Sequence, residues 1–147
     1  MQKVLFFDDE PFVIGYLVQN LQDNFGWVKD KEIKLVSSFV DLLHEINNND
    51  ETYSLFVLDV MVPMPSDELR KQFTQQELDE MHNGMSTGLV MAKKIRQIER
   101  YAKVPILYLS ARIIPNIPDS EKNYTFYIRK PVSTEEISKK MDELLAN

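Results

Sequence analysis

The sequence contains no cysteine among its 147 residues. This absence excludes a disulfide framework and a thiolate metal site. Long apolar runs are also missing, and none approaches the roughly 18 residues that a membrane-spanning helix needs. The first residues pass from Gln2-Lys3 directly into a strand-like run, without the apolar stretch and cleavage site of a signal peptide. We therefore expect a cytoplasmic protein with no membrane association.

Basic residues are fewer than acidic residues in this sequence. Seventeen Lys and Arg residues against 23 Asp and Glu residues give a formal net charge of −6. Proteins that bind nucleic acid electrostatically normally carry a basic face, so we expect no direct binding to nucleic acid. The apolar content of 44% and the chain length suit one globular domain with a core, and we expect residues 1–147 to form a single domain.

Five short apolar runs rich in β-branched or aromatic residues occur in order along the chain. They cover residues 4–7, 33–36, 55–58, 106–109 and 126–128. The first, third and fourth are continuously apolar, as strands covered on both faces of a parallel sheet are. Helical spacing of apolar residues predicts helices from Pro11 to a stop at Gly26, over 38–49, over 87–102, and from Ser133 onward. This alternation predicts an α/β fold with a parallel sheet.

Two segments interrupt the alternation. In residues 64–86, Thr74 and Glu77 have the spacing of a capping box, which predicts one or two short helices rather than a loose loop. In residues 113–123, Pro115 and Pro118 exclude a regular helix and leave room for a short turn after Pro118.

Polar side chains directly follow four of the five predicted strands. In chain order they are Asp8, Asp9 and Glu10, then Asp59, then Ser110, then Arg129-Lys130. Ligands of open parallel α/β sheets bind at this carboxyl edge. Converging aspartates raise one another's pKa unless a cation lies among them, and oxygen ligands alone suit a hard ion such as Mg²⁺ or Ca²⁺. With a hydroxyl and an ammonium group added, the set predicts a phosphoryl-transfer site in which one carboxylate could be the nucleophile.

Four motifs in this order resemble those of the receiver domains of two-component response regulators. They are VLFFDDEP (4–11), LFVLDVMVP (55–63), PILYLSA (105–111) and FYIRKP (126–131). The resemblance covers the chain apart from the two irregular segments. It implies a flavodoxin-like, doubly wound sheet of five parallel strands in the order 2-1-3-4-5. Because the last predicted helix runs to the end of the sequence, we expect a stand-alone receiver that works as a phosphorylation-dependent switch.

The resemblance also implies a role for each residue of the phosphorylation machinery. Asp59 would accept the phosphoryl group, Lys130 would pair with it, and Ser110 would hydrogen-bond to it when the domain switches on. Tyr127 falls at the aromatic switch position, whose rotamer follows the hydroxyl residue. Pro131 stands where the family often has a cis peptide bond.

The implied cofactor is Mg²⁺. Asp9 and Asp59 would coordinate it directly, Met61 would do so through its backbone carbonyl, and Asp8 would act mainly through water. Glu10 extends the acidic cluster without being a ligand.

The implied partners are a sensor histidine kinase or phosphotransfer protein, which supplies the phosphoryl group, and a downstream protein target. Such a domain catalyses only its own phosphorylation and dephosphorylation. One alternative is an aspartyl-phosphate phosphatase of the haloacid-dehalogenase type, but that class needs a second aspartate where Met61 stands. Another is a degenerate receiver that only binds partners, which the complete set of site residues argues against.

The chain departs from the family pattern in two places. Gly88 lies 25 positions after Pro63, where the family has a glycine about four positions on, so roughly 21 residues are inserted within 64–86. The insertion either folds over the phosphorylation pocket, forms a docking surface, or has no role. The second departure is segment 113–123, where we expect a degenerate form of the family's fourth helix.

Overall fold

Five parallel strands form one sheet in the computed structural model, which describes residues 2–25, 31–111 and 116–146. The strands are β1 (Gln2–Phe7), β2 (Lys31–Val36), β3 (Leu55–Asp59), β4 (Ile106–Ser110) and β5 (Thr125–Arg129). Their order across the sheet is β2-β1-β3-β4-β5. The predicted α/β class and the strand order that the resemblance implied are therefore confirmed.

Six α-helices occur within the described residues. They are α1 (Pro11–Phe25), α2 (Phe39–Asn47), α3 (Asp67–Arg70), α4 (Gln75–Glu80), α5 (Thr87–Arg96) and α6 (Thr134–Leu145). The helix predicted over 87–102 was too long, because Ile98 adopts an extended backbone and the 3₁₀ turn Glu99–Tyr101 follows separately. Gly26, the predicted end of the first helix, and residues 112–115 lie outside the described residues. No described helix has the length and apolar character needed to cross a membrane.

Apolar side chains fill both faces of the sheet. On one face, α1 and α6 cover β1, β3 and β4 with residues such as Ile14, Leu21 and Met141. On the other face, α2 and α5 cover the same strands with residues such as Leu42 and Met91. Every residue of β3 and β4 is buried, which explains why their sequences are continuously apolar up to the polar residue at the end.

The insertion contributes to the second of these cores. Thr74 and Glu77 form the predicted capping box at the start of α4, so short helices are present in this segment. Phe73 is buried, and its ring lies 6.1 Å from that of Phe39 in an edge-on arrangement. The Lys94 ammonium lies 4.8 Å above the Phe73 ring. Met81 is fully buried in the same cluster, so the insertion is held by the core rather than lying loosely on the surface.

Between β4 and β5, the described residues 116–124 contain one 3₁₀ turn, Asp119–Glu121, and no α-helix. This turn follows Pro118, as the sequence predicted. Arg96 ties the segment to α5 by donating hydrogen bonds to the Tyr124 carbonyl and the Thr125 hydroxyl.

Candidate functional site

Three aspartates meet at the carboxyl edge of the sheet. Asp8 and Asp9 follow β1, and Asp59 ends the neighbouring strand β3. One carboxylate oxygen from each of the three lies within 4.8 Å of the other two. Asp8 is only 4% exposed and Asp59 only 7%, whereas Asp9 is partly exposed. The structure thus brings together the three carboxylates that the sequence singled out.

Backbone amides hold the two buried carboxylates in place. The Glu10 amide donates to Asp8 Oδ1 at 2.8 Å, and the Met61 amide donates to Asp59 Oδ1 at 3.3 Å. In both cases the donor lies two residues after the aspartate, which is the local turn that Asp side chains favour. Glu10 itself is exposed, and it is not among the three clustered carboxylates.

Lys130 reaches the cluster from the end of β5. Its Nζ lies 3.4 Å from Asp59 Oδ1 and 3.8 Å from Asp8 Oδ2. The Lys130 amide also donates to the Ser110 carbonyl at 2.7 Å, which holds the ends of β4 and β5 together. The peptide bond between Lys130 and Pro131 is cis, as the resemblance implied.

The buried carboxylates are costly to ionise in this setting. The pKa of Asp8 is raised to about 6, mainly by burial and with a contribution from the Asp59 charge, while the Glu10 amide and Lys130 oppose the shift. Burial also raises the pKa of Asp59, with Lys130 and the Met61 amide acting in the opposite direction. The edge therefore carries more negative charge than its lysine compensates, which is the situation that a bound cation relieves.

The donor set fits a hard divalent cation. All three clustered side chains are carboxylates, and no histidine or cysteine takes part. Mg²⁺ is typically held by one or two carboxylates and keeps several waters. Asp9 is the most accessible of the three, while Asp8 and Asp59 are the two whose ionised forms burial disfavours.

The two predicted switch residues share one face of the sheet. Ser110 ends β4 and is 2% exposed. Tyr127 on β5 is 42% exposed and lies beside Tyr108, two residues before Ser110. Because alternate residues of a strand face the same side, Tyr127 and Ser110 project to the same face.

The start of α5 presses on the loop that follows Asp59. A Cβ atom at Gly88 would lie 2.0 Å from the Asp59 carbonyl oxygen, so a larger residue would displace the backbone of the site. The Gly88 amide donates to the Val60 carbonyl at 2.9 Å, and the Thr87 hydroxyl donates to the Val62 carbonyl at 2.6 Å. These contacts fix the loop on both sides of Met61. Thr87 was not foreseen from the sequence, because its partner lies across the insertion.

Two cavities open onto the acidic cluster. The larger, about 800 Å³, lies between α1 and the start of α6 and includes Asp8 and Lys130 in its lining. The smaller, about 360 Å³, lies on the other side and is lined by Asp9, Met61 and the end of the insertion, which includes Asn83 and Met85. The position of the insertion after β3 made folding over the pocket one of the three alternatives, but the sequence did not indicate which of its residues reach the site.

No protein-family model and no curated protein matches the sequence. Solved structures do match it along nearly the whole chain. The chemotaxis response regulator CheY4 of Vibrio cholerae is 21% identical with a TM-score of 0.67, and the match covers 99% of each chain. A putative response regulator from Chloroflexus aurantiacus is 20% identical with a TM-score of 0.66, over 99% of this chain and 98% of the other.

A third match is the receiver domain of a sensor histidine kinase from Pseudomonas aeruginosa, with a magnesium ion coordinated in its active-site cleft. It is 16% identical with a TM-score of 0.63, over 99% of this chain and 98% of the other. At these identities the likeness establishes the fold. This chain has the flavodoxin-like fold of response regulator receiver domains.

Proposed function

We propose that this protein is a phosphorylation-dependent signalling switch in which Asp59 accepts a phosphoryl group. The observation that carries the proposal is the position of the Lys130 ammonium, 3.4 Å from Asp59 Oδ1 within a cluster of three carboxylates. A buried nucleophilic carboxylate beside a fixed cation is the arrangement that phosphoryl transfer to aspartate requires.

The donors would be a sensor histidine kinase or a phosphotransfer protein, each carrying phosphohistidine. An Asp59 carboxylate oxygen attacks the phosphorus atom, and the phosphorus–nitrogen bond breaks. The imidazole leaves with the bonding electron pair and takes up a proton from solvent. Lys130 stays beside Asp59 throughout and balances the negative charge of the phosphoryl oxygens.

A magnesium ion fits this scheme. Asp9, Asp59 and the Met61 backbone carbonyl would hold it directly, with Asp8 acting through water. When bound, Mg²⁺ neutralises charge on the transferring group and orients it toward the attacking oxygen. The Met61 amide already bonds to Asp59, and Thr87 and Gly88 hold the loop around it, so the chain keeps these groups in place.

The output of the switch would be a change in protein contacts. A phosphoryl group on Asp59 adds negative charge and acceptor oxygens, which attract the Ser110 hydroxyl. Tyr127 shares the sheet face of Ser110, so its rotamer can follow that movement toward a downstream protein target. In this proposal residues 1–147 act as one receiver domain in the cytoplasm and catalyse only their own phosphorylation and dephosphorylation.

Intact-mass measurement after incubation with acetyl phosphate and Mg²⁺ tests the proposal. We expect one phosphoryl adduct on the wild-type protein and none on Asp59→Asn. Glu10→Gln is the matched control, because it removes a carboxylate from the same edge but not from the cluster. It should retain the adduct.

Each alternative gives a different result. An equal adduct on Asp59→Asn would refute the assignment of the acceptor. No adduct on the wild type would favour a degenerate receiver that acts by binding alone. Repeated turnover of a small phosphate ester would favour the phosphatase reading, against which Met61 stands two residues after Asp59.

A further inference from the structure

The end of the insertion borders the acidic site. Residues 82–85, here called the rim, pass beside the loop that follows β3. A Cβ atom at Gly84 would lie 3.0 Å from the Val62 carbonyl oxygen, so the two backbones are nearly in contact. Asn83 and Met85 line the 360 Å³ cavity together with Asp9 and Met61. The rim therefore forms one wall of the cavity that gives access to Asp9.

The rim is held firmly at both ends. The Met81 side chain is fully buried, and its carbonyl accepts hydrogen bonds from the Gly84 and Ser86 amides at 3.1 and 2.9 Å. At the other end, the Thr87 hydroxyl is bonded to the Val62 carbonyl. Because both of its ends are anchored, the rim is held at a fixed distance from the loop that carries Met61.

The backbone of the rim directs neighbouring side chains to opposite sides. His82 and Asn83 have φ angles of 48° and 55°, in the left-handed region that non-glycine residues seldom adopt. His82 lines a separate groove against α5, together with Lys93 and Pro118, whereas Asn83 and Met85 line the cavity at the acidic site. Met85 is 49% exposed, and it is the apolar side chain that the rim contributes to that cavity.

We propose that Met85 shields the phosphorylated Asp59 from water on the Asp9 side and so lengthens the lifetime of the phosphoryl group. In the hydrolysis it opposes, a water oxygen attacks phosphorus and the bond between phosphorus and the Asp59 oxygen breaks. The carboxylate leaves with the electron pair, and inorganic phosphate and a proton are released. The apolar side chain of Met85 offers an attacking water no good hydrogen-bond partner, so fewer waters occupy the part of the cavity that it covers. This inference rests on the proposed function.

The test is the decay of the phosphoryl adduct after the phosphodonor is removed, followed by intact mass at fixed Mg²⁺. Met85 has helical backbone angles, φ −69° and ψ −26°, which alanine also adopts. We expect Met85→Ala to lose the adduct about fivefold faster than wild type. Met85→Leu restores an apolar wall and should decay at close to the wild-type rate.

His82→Gly is the matched control within the same rim. Glycine keeps the left-handed backbone, and the removed side chain lines the other groove. We expect an unchanged decay rate, and we expect Mg²⁺ affinity and thermal unfolding of Met85→Ala to match those of wild type.

Three results would overturn the inference. The first is a wild-type decay rate in Met85→Ala. The second is an equal acceleration in His82→Gly, which would assign the effect to a loosened rim. The third is a loss of Mg²⁺ affinity in Met85→Ala, which would assign it to the metal site. Absence of any adduct on the wild-type protein would instead refute the proposed function itself, and the inference with it.

Discussion

The two edges of the sheet differ in how far their buried polar and charged groups are compensated by neighbouring groups. At the amino edge, where the strands begin, buried side chains bond to each other and to the backbone, apart from the Nε atoms of Arg96 and Arg100, which have no hydrogen-bond partner within the described residues. The Tyr53 hydroxyl donates to Glu45 at 2.5 Å, and the Tyr101 hydroxyl donates to the Glu51 carbonyl and accepts from the Tyr53 amide. Arg100 donates to carbonyls at the end of α2.

At the carboxyl edge, three carboxylates face one lysine among the described residues, and burial raises the pKa of two of them. Polar groups that serve the fold alone are normally satisfied by their neighbours. Local imbalance of this kind is typical of functional sites, and it is consistent with the cation site proposed above. Substitutions at the amino edge should change stability alone, whereas those at the carboxyl edge should link stability to cation binding.

The largest expected effect is that of Tyr101→Ala at the amino edge. Tyr101 is fully buried, and its ring packs edge-on against Phe56 at 4.9 Å. Truncation leaves a cavity and removes two hydrogen bonds, so the free energy of unfolding should fall by about 4 kcal/mol in urea titrations. Mg²⁺ affinity of the folded protein should stay the same. A parallel loss of Mg²⁺ affinity would show that the two edges are coupled and would break the comparison.

The substitution Asp8→Asn should change the free energy of unfolding in the opposite direction, by raising it. The pKa of Asp8 is raised from 3.8 to about 6 in the folded protein, so ionised Asp8 opposes folding above pH 6. That penalty disappears as the pH falls from above 6 to below 3.8, the ordinary pKa of an aspartate. Without divalent cations at pH 7.5, Asp8→Asn should therefore raise the free energy of unfolding by about 3 kcal/mol. The gain should shrink as the pH falls through this range and vanish near pH 3, where the wild-type carboxyl is protonated in both states.

Two controls sharpen this second prediction. Asp67→Asn removes one negative charge from an exposed site on α3, so it should leave the pH dependence unchanged. Adding Mg²⁺ at ten times its dissociation constant should stabilise the wild type by about 1.4 kcal/mol and should stabilise Asp8→Asn less. Destabilisation by Asp8→Asn at pH 7.5 without cation would contradict the view that this edge is short of positive charge.

The sequence predicts the carboxyl edge better than the insertion. Because the strands are parallel, residues that follow them must meet at one edge, and this is why the convergence of Asp8, Asp59 and Lys130 could be inferred from their positions alone. The capping box at Thr74 could be predicted as well, because it involves only neighbouring residues and determines only where α4 begins.

Features that depend on tertiary packing could not be predicted. The burial of Met81 and the left-handed backbone of His82 place the rim beside the site, but no periodicity encodes either. The helix predicted to reach residue 102 ends at Arg96, whose side chain donates to carbonyls beyond it, including that of Tyr101. Apolar periodicity continues through Ile98 and does not reveal this end.

The smallest expected effect is that of Tyr53→Phe, which removes one hydroxyl from the amino edge. Burial and the Glu45 carboxylate raise the pKa of Tyr53, so the phenol stays a protonated donor at neutral pH. Losing its hydrogen bond to Glu45 should cost about 1 kcal/mol of unfolding free energy. Tyr124→Phe is the matched control, since its hydroxyl donates to the Ser120 carbonyl at an exposed position and its removal should cost less. Mg²⁺ affinity should be unchanged in both variants. If Tyr53→Phe were neutral in stability yet weakened Mg²⁺ binding, the paired amino edge would have a functional role, and charge imbalance would no longer distinguish the two edges.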